Sequence, residues 1–96
     1  MKTQREPTTP GEILREEFLK PLGMTQTELA DHIGCDVKVV NRIVNGRTSV
    51  TAEMAIRLGA ALRVSPEFWL GAQQAVDIYR AARRMKKVPE PIRSTG

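Results

Sequence analysis

The chain is short of the residues from which most catalytic and metal sites are built. It has one cysteine, Cys35, and one histidine, His32. A lone thiol cannot close an internal disulfide, which fits a reducing compartment. One thiol and one imidazole also fall short of a structural zinc site. There is no Ser/His/Asp set, no metal-ligand spacing and no glycine loop of the kind that cradles phosphate. Glu16 and Glu17 project about 100° apart on a helix and read as solvated surface rather than as an acid/base couple; His32 reads as the solvated side of its helix. The expectation is a protein that is not an enzyme and uses no cofactor and no metal. Long hydrophobic runs are missing too. No stretch approaches the roughly 18 apolar residues of a membrane span, and the start, MKTQREPTTPG, lacks the apolar segment of a signal peptide. A cytoplasmic location without a membrane partner is the matching expectation.

What is present is an ordinary globular composition, with 41% hydrophobic and 27% charged residues in a chain of 96, enough for one modest core. The net charge of +4 is unevenly placed. Residues 77–96 carry Arg80, Arg83, Arg84, Lys86, Lys87 and Arg93 against only Asp77 and Glu90, which accounts for the whole excess. A basic end of this kind suits a polyanion. It equally suits a solvated helix end whose cations favour the helix dipole, and composition leaves both readings open.

Helix signals recur along the chain, with no strand alternation and no repeat. Residues 1–9 are polar, without apolar periodicity, and are expected to be a flexible end. In PGEILREEFLK a proline sits in the opening turn and Ile13, Leu14 and Phe18 share a face; Pro21 and Gly23 are expected to stop that helix. Thr25-x-x-Glu28 is a capping box ahead of Leu29, Ala30 and Ile33, and Gly34 can supply the positive φ that ends the second helix. Asp36 is the natural cap of a third helix, with Val40, Ile43 and Val44 inward and Gly46 as its stop. Thr51 caps a fourth, whose Met54, Ala55, Leu58, Ala61 and Leu62 form a core-facing stripe. Ser65-Pro66 starts a fifth helix, expected over 66–87, with Pro89 and Pro91 ending it and 88–96 a flexible tail. The fold class is all-α, a single five-helix domain over 10–87.

The second and third helices, with Gly34 in the turn and the small Ala30 at the crossing, meet the requirements of a helix-turn-helix. Any tight helical hairpin shares those requirements, so the outward residues decide. With Val40, Ile43 and Val44 buried, the third helix shows Val37, Lys38, Asn41, Arg42 and Asn45. Lys and Arg can donate to guanine O6 and N7, Asn can bracket adenine N6 and N7, and Val can touch a thymine methyl. Gln26 opens the second helix, next to Thr25, where unpaired N–H groups favour phosphate. Arg47 and Thr48 follow the third helix and can clamp the DNA backbone or be plain loop residues.

TQTELADHIGCDVKVVNRIVNG resembles the helix-turn-helix of the Cro/C1-type (lambda-repressor-like) family. PGEILREEFLKPLGMTQTELA, RIVNGRTSVTAEMAIRLGAAL and SPEFWLGAQQAVDIYRA extend the likeness over about Pro10 to Ala81. They resemble the HigA-type (VapI-like) antitoxins of bacterial addiction modules. The resemblance implies a homodimeric repressor that binds a palindromic double-stranded operator and a HigB-type, mRNA-cleaving toxin, associated with the nucleoid when bound. It carries over to Val37, Lys38, Asn41 and Arg42 as groove residues, with Thr25, Gln26, Asn45, Arg47 and Thr48 around them. Asp36 departs from the Ser or Thr common at that position, and its carboxylate repels phosphate, so its expected role is the cap alone. An orphan or phage-type regulator without a toxin is the alternative. The acidic first helix (Glu12, Glu16, Glu17) is a candidate toxin surface.

The last helix carries more apolar residues than a small core needs. Phe68 and Trp69 are expected to close the four-helix core. Trp69, Ala72, Gln73, Val76 and Tyr79 make the expected dimer seam, which would present two recognition helices to half-sites about one duplex turn, or a multiple, apart.

Overall fold

A computed structural model describes residues 5–93; the outermost residues of both expected flexible ends lie outside them. Among the described residues there are five helices and no strand. Helix α1 is continuous from Pro10 to Leu22 but not uniform. It is α-helical over Pro10–Ile13, π-helical over Leu14–Leu19 and α-helical again over Lys20–Leu22. The others are α2 (Gln26–Ile33), α3 (Val37–Val44), α4 (Ala52–Leu62) and α5 (Pro66–Arg84).

The π turn explains a core residue that regular helical spacing does not predict. In π geometry hydrogen bonds run from i to i+5, so residues five apart share a face. Leu14 and Leu19 are accordingly both buried, while Ile13 and Phe18 are only partly covered. Pro21 does not stop the helix but sits in its last turn. The stop is Gly23, left-handed at φ 63°, with the Met24 N–H closing back on the Leu19 carbonyl at 3.0 Å.

The remaining starts are set locally. Thr25 and Glu28 complete a reciprocal capping box, and Asp36, Thr51 and Ser65 each accept a first-turn N–H through their side chains. Helix α5 ends at Arg84, where Met85 turns extended at ψ 131°, three residues short of the expected Lys87.

Leu14, Leu29, Ala30, Val40, Ile43, Ala55, Leu58 and Trp69 meet in one core. Burial of each large apolar side chain contributes about 1.5–3 kcal/mol. Helix α1 lies across α3 at Gly11, where a Cβ would stand 1.8 Å from the Ile43 carbonyl oxygen. Only glycine permits that approach, and it holds the inner side of α3 against the body.

Candidate nucleic-acid interface

The turn between α2 and α3 is held from three sides. Gly34 is left-handed at φ 75°, and the Cys35 N–H returns to the Ala30 carbonyl at 3.0 Å. From α4, the Arg57 guanidinium donates to the carbonyls of Ile33 and Gly34 and pairs with Glu53 at 3.1 Å. A cation is favourable at this helix end, where carbonyls are left without intrahelical partners. Arg57 is a residue that reading the sequence missed. Its spacing from Glu53 is visible in the chain, but its contact with a turn more than twenty residues away is not. Cys35 is half-buried, and burial pushes its thiol above the ordinary range.

Beyond the turn, the outer face of α3 stands free. Val37, Lys38, Asn41, Arg42 and Asn45 are all exposed, opposite the buried Val40, Ile43 and Val44. Gln26 reaches over from the first position of α2, and with Val37, Lys38, Asn41 and Arg42 it lines one shallow concavity. Five of the nine candidate DNA residues are thereby brought together. Their amides are linked: Asn41 Nδ2 donates to Gln26 Oε1 at 3.1 Å, and Asn45 Nδ2 donates to Asn41 Oδ1 at 3.3 Å. Thr25 lies beside Gln26, with its hydroxyl accepting from the Glu28 N–H. Asp36 Oδ1 accepts from the Lys38 N–H at 2.8 Å, which is the capping role expected of it.

Arg47 and Thr48 do not line that concavity. They are exposed in the loop after α3, beside a second, more enclosed hollow shared with Thr9, Ser49, Gln73 and Arg80. The loop is tied to α5: Gln73 Oε1 accepts from the Val50 N–H at 2.9 Å, and Gln73 Nε2 donates to Asp77 at 3.0 Å. Arg80 pairs with Glu6 of the N-terminal segment, and Arg83 lies 5.5 Å above the Tyr79 ring. The basic end of α5 is therefore partly engaged within the protomer. On α1, Glu16 is bonded to Arg15 and Lys20, and the Lys20 ammonium first, then Arg15, hold its carboxyl below the usual range. That leaves Glu12 and Glu17 as the less engaged carboxylates of the candidate toxin surface.

Within the protomer the expected dimer seam is exposed only in part. Trp69 is 0% exposed and stacks with Phe18 and Phe68 at ring distances of 5.4 and 5.1 Å. Val76 is likewise buried, and Gln73 is spent on the loop. Trp69 belongs to the protomer's own core, Val76 is covered within the protomer, and Gln73 is half-buried. Each residue advances a helix by about 100°, so the outward face is the neighbouring stripe. It carries Phe68 at 42% exposure, Ile78 at 61% and Met85 at 52%, with Gly71, Ala75 and Ala82 exposed between them. Ala72 and Tyr79 are half-buried at its edge.

Among the described residues no helix is long and apolar enough to cross a membrane, and no group of three or more His, Cys, Asp or Glu is placed to hold a metal ion.

The helix-turn-helix family model matches residues 15–69. Antitoxin HigA-1 of Vibrio cholerae is 43% identical over 86 residues, covering 90% of this chain and 81% of the relative. Antitoxin GraA, solved in complex with its operator, superposes with a TM-score of 0.78 at 43% identity over 88% of this chain and 85% of that one. Antitoxin HigA of Pseudomonas aeruginosa, solved with the higBA promoter, gives 0.83 at 33% identity over 90% and 98%.

Proposed function

This chain belongs to the helix-turn-helix family and within it to the HigA-type antitoxins, DNA-binding transcriptional regulators and not enzymes, and from that premise we propose how its own residues perform the task. The chain binds a palindromic double-stranded operator as a homodimer, represses its promoter, and neutralises a HigB-type toxin. It works in the cytoplasm, at the nucleoid when operator-bound.

The observation that carries this reading is the concavity at the start of α3. Its inner side is wholly committed to the core, while Gln26, Val37, Lys38, Asn41 and Arg42 converge outward. Val37, Lys38, Asn41 and Arg42 enter the major groove; Lys38 and Arg42 suit guanine or phosphate, Asn41 suits adenine, and Val37 a thymine methyl. Thr25, Gln26, Asn45, Arg47 and Thr48 contact the backbone and set register without reading sequence.

The dimer is formed by the outward stripe of α5, Phe68, Ala75, Ile78 and Ala82, with Met85 just past its end. Paired antiparallel about a two-fold axis, two copies of α5 bring Glu67 near the start of one helix beside Arg83 and Arg84 near the end of the other. The small Gly71, Ala75 and Ala82 permit close approach, and a Cβ added at Gly71 would meet nothing within 4 Å in the protomer.

A gel shift on the DNA of the chain's own promoter tests the reading. Each base or phosphate contact is worth about 1–3 kcal/mol, so Lys38→Ala/Arg42→Ala lowers affinity by roughly a hundredfold or more with the helical circular dichroism unchanged. Unaltered binding by that variant overturns the assignment of α3. Co-purification with the product of the neighbouring reading frame tests the toxin; a neighbouring product that does not associate removes that part.

A further inference from the structure

The second hollow, behind the loop that follows α3, has the lining of an anion site. It encloses about 140 Å³ between that loop, the start of α1 and one side of α5. Thr9, Thr48 and Ser49 contribute hydroxyl residues to its lining and Arg47 and Arg80 contribute cations, with no carboxylate among the residues that line it. We propose that this hollow binds a phosphate-type oxyanion from solution, and that its occupation draws Arg47 and Thr48 off the DNA backbone and lowers operator affinity. The effect on the operator rests on the reading above; the anion site itself does not.

The charges around the hollow are unbalanced. Arg80 has one counter-charge, Glu6 of the N-terminal segment, and Arg47 has no carboxylate partner among the described residues. Two like charges beside one small hollow repel, and an oxyanion between them relieves both. Glu6 shows that an oxyanion finds Arg80; a phosphate offers the same guanidinium paired N–H···O bonds and a larger charge. The Thr9 hydroxyl accepts from the Glu12 N–H at 3.1 Å and keeps its own hydrogen to donate. Val50 and Val76, both buried, also line the hollow, so attraction there is screened less than on open surface. The volume is that of about four or five waters, which admits phosphate or a small phosphate ester but not a nucleotide.

The hollow is the more enclosed of the two concavities, which suits a free ion rather than a phosphate held in a duplex. Gln73 already ties the Val50 N–H of the loop to α5. An anion between Arg47 and Arg80 adds a second tie between the same loop and helix, whereas operator contact needs Arg47 and Thr48 on the DNA. The two uses compete, and the competition is mutual: the factor that phosphate takes off operator affinity, the operator takes off phosphate affinity. Dimerisation does not close the site. At about 100° per residue, Gln73 and Arg80 lie roughly opposite Ala75, Ile78 and Ala82 on α5.

Inorganic phosphate is the probe, with chloride at matched ionic strength as the reference and the full chain throughout. Calorimetric titration of the free protein shows saturable binding of one phosphate per protomer. Arg80→Gln, at an exposed position, weakens it at least tenfold, and Glu6→Gln, which removes the competing carboxylate, tightens it at least threefold. In gel shifts phosphate lowers operator affinity at least fivefold more than chloride does. Arg80→Gln binds the operator as the wild type does in chloride and loses the extra effect of phosphate. No saturable binding, or equal binding by wild type and Arg80→Gln, overturns the site. Phosphate binding without a change in operator affinity overturns the coupling. Loss of operator affinity by Arg80→Gln in chloride would assign the hollow to a backbone phosphate of the DNA and overturn the free-ion proposal. A wild type that binds no operator even in chloride overturns instead the reading beneath it, while the calorimetry still decides the site.

Discussion

The outer faces of α3 and α5 are both exposed in the protomer, but in opposite ways. On α3 the exposed groups, Val37 apart, are amides and cations, which water satisfies and which a polar partner can satisfy in a more ordered manner. On α5 they are Phe68, Ala75, Ile78 and Ala82 in one stripe, with Met85 just past its end, which water does not satisfy. One exposed isoleucine is normal on any surface; an aligned row is a patch that calls for apolar cover. The contrast separates two kinds of recognition in one small chain, a polar edge suited to DNA and an apolar edge suited to a second copy. Gln73, on α5 but bonded to the loop after α3, links the two.

The largest disturbance removes both faces at once. Gly11→Ala puts a methyl group into the Ile43 carbonyl and separates α1 from α3. Stability falls by about 3 kcal/mol or more, a drop in melting temperature above roughly 10 °C for a domain of this size. A thermal melt that moves by only a few degrees would refute the close crossing.

Ile78→Glu breaks the α5 face alone. Sedimentation at micromolar concentration gives a monomer, and operator affinity falls by about 10²-fold or more because linked half-site binding is lost. The near-ultraviolet signal of the buried Trp69 stays as it was. A variant that remains dimeric would move the seam elsewhere on the molecule.

Gln73→Ala tests the link. The N–H of the buried Val50 loses its acceptor, which costs about 1–3 kcal/mol in chemical denaturation. Gln74→Ala, one residue on and exposed, leaves the denaturation midpoint in place. Equal effects of the two would show that the loop does not depend on α5.

The smallest effect concerns the turn beneath the α3 face. Burial raises the Cys35 thiol, with Asp36 adding to the rise and Arg57 opposing it, so the thiolate is scarcer at pH 7–8 than in a free cysteine. Alkylation by iodoacetamide is slower than that of free cysteine and speeds up in denaturant. Equal rates in the folded and denatured protein would mean that the turn is open.

Much of this was legible in the chain because it is local. Thr25 with Glu28, and Asp36, Thr51 and Ser65, act on N–H groups two or three residues away, so neighbouring letters suffice to place four helix starts. The inner stripe of α3 was equally plain, since Val40, Ile43 and Val44 recur at the period of a regular helix. Spacing failed where the helix is not regular. The π turn brings Leu19 round to the side of Leu14, and no rule built on the α-helical period anticipates that.

It also failed where two neighbouring stripes of one helix were both apolar. Phe68, Ala75 and Ile78, or Trp69, Ala72 and Val76, make equally good faces of α5 on paper. Only the docking of α4 and α1 decides that Trp69 goes in and Ile78 stays out. Gly11, Arg57 and Gln73 belong to the same class, since each has its partner at least twenty residues distant. The amino-acid sequence by itself determined the all-α class, the helix starts and the polar outer face of α3, because propensity, capping and amphipathic period act within a turn or two. The tertiary structure alone decided which side of α5 is free, how closely α1 approaches α3 and how Gln26 meets Asn41. Those depend on the rotation and separation of helices, which packing of the whole core sets.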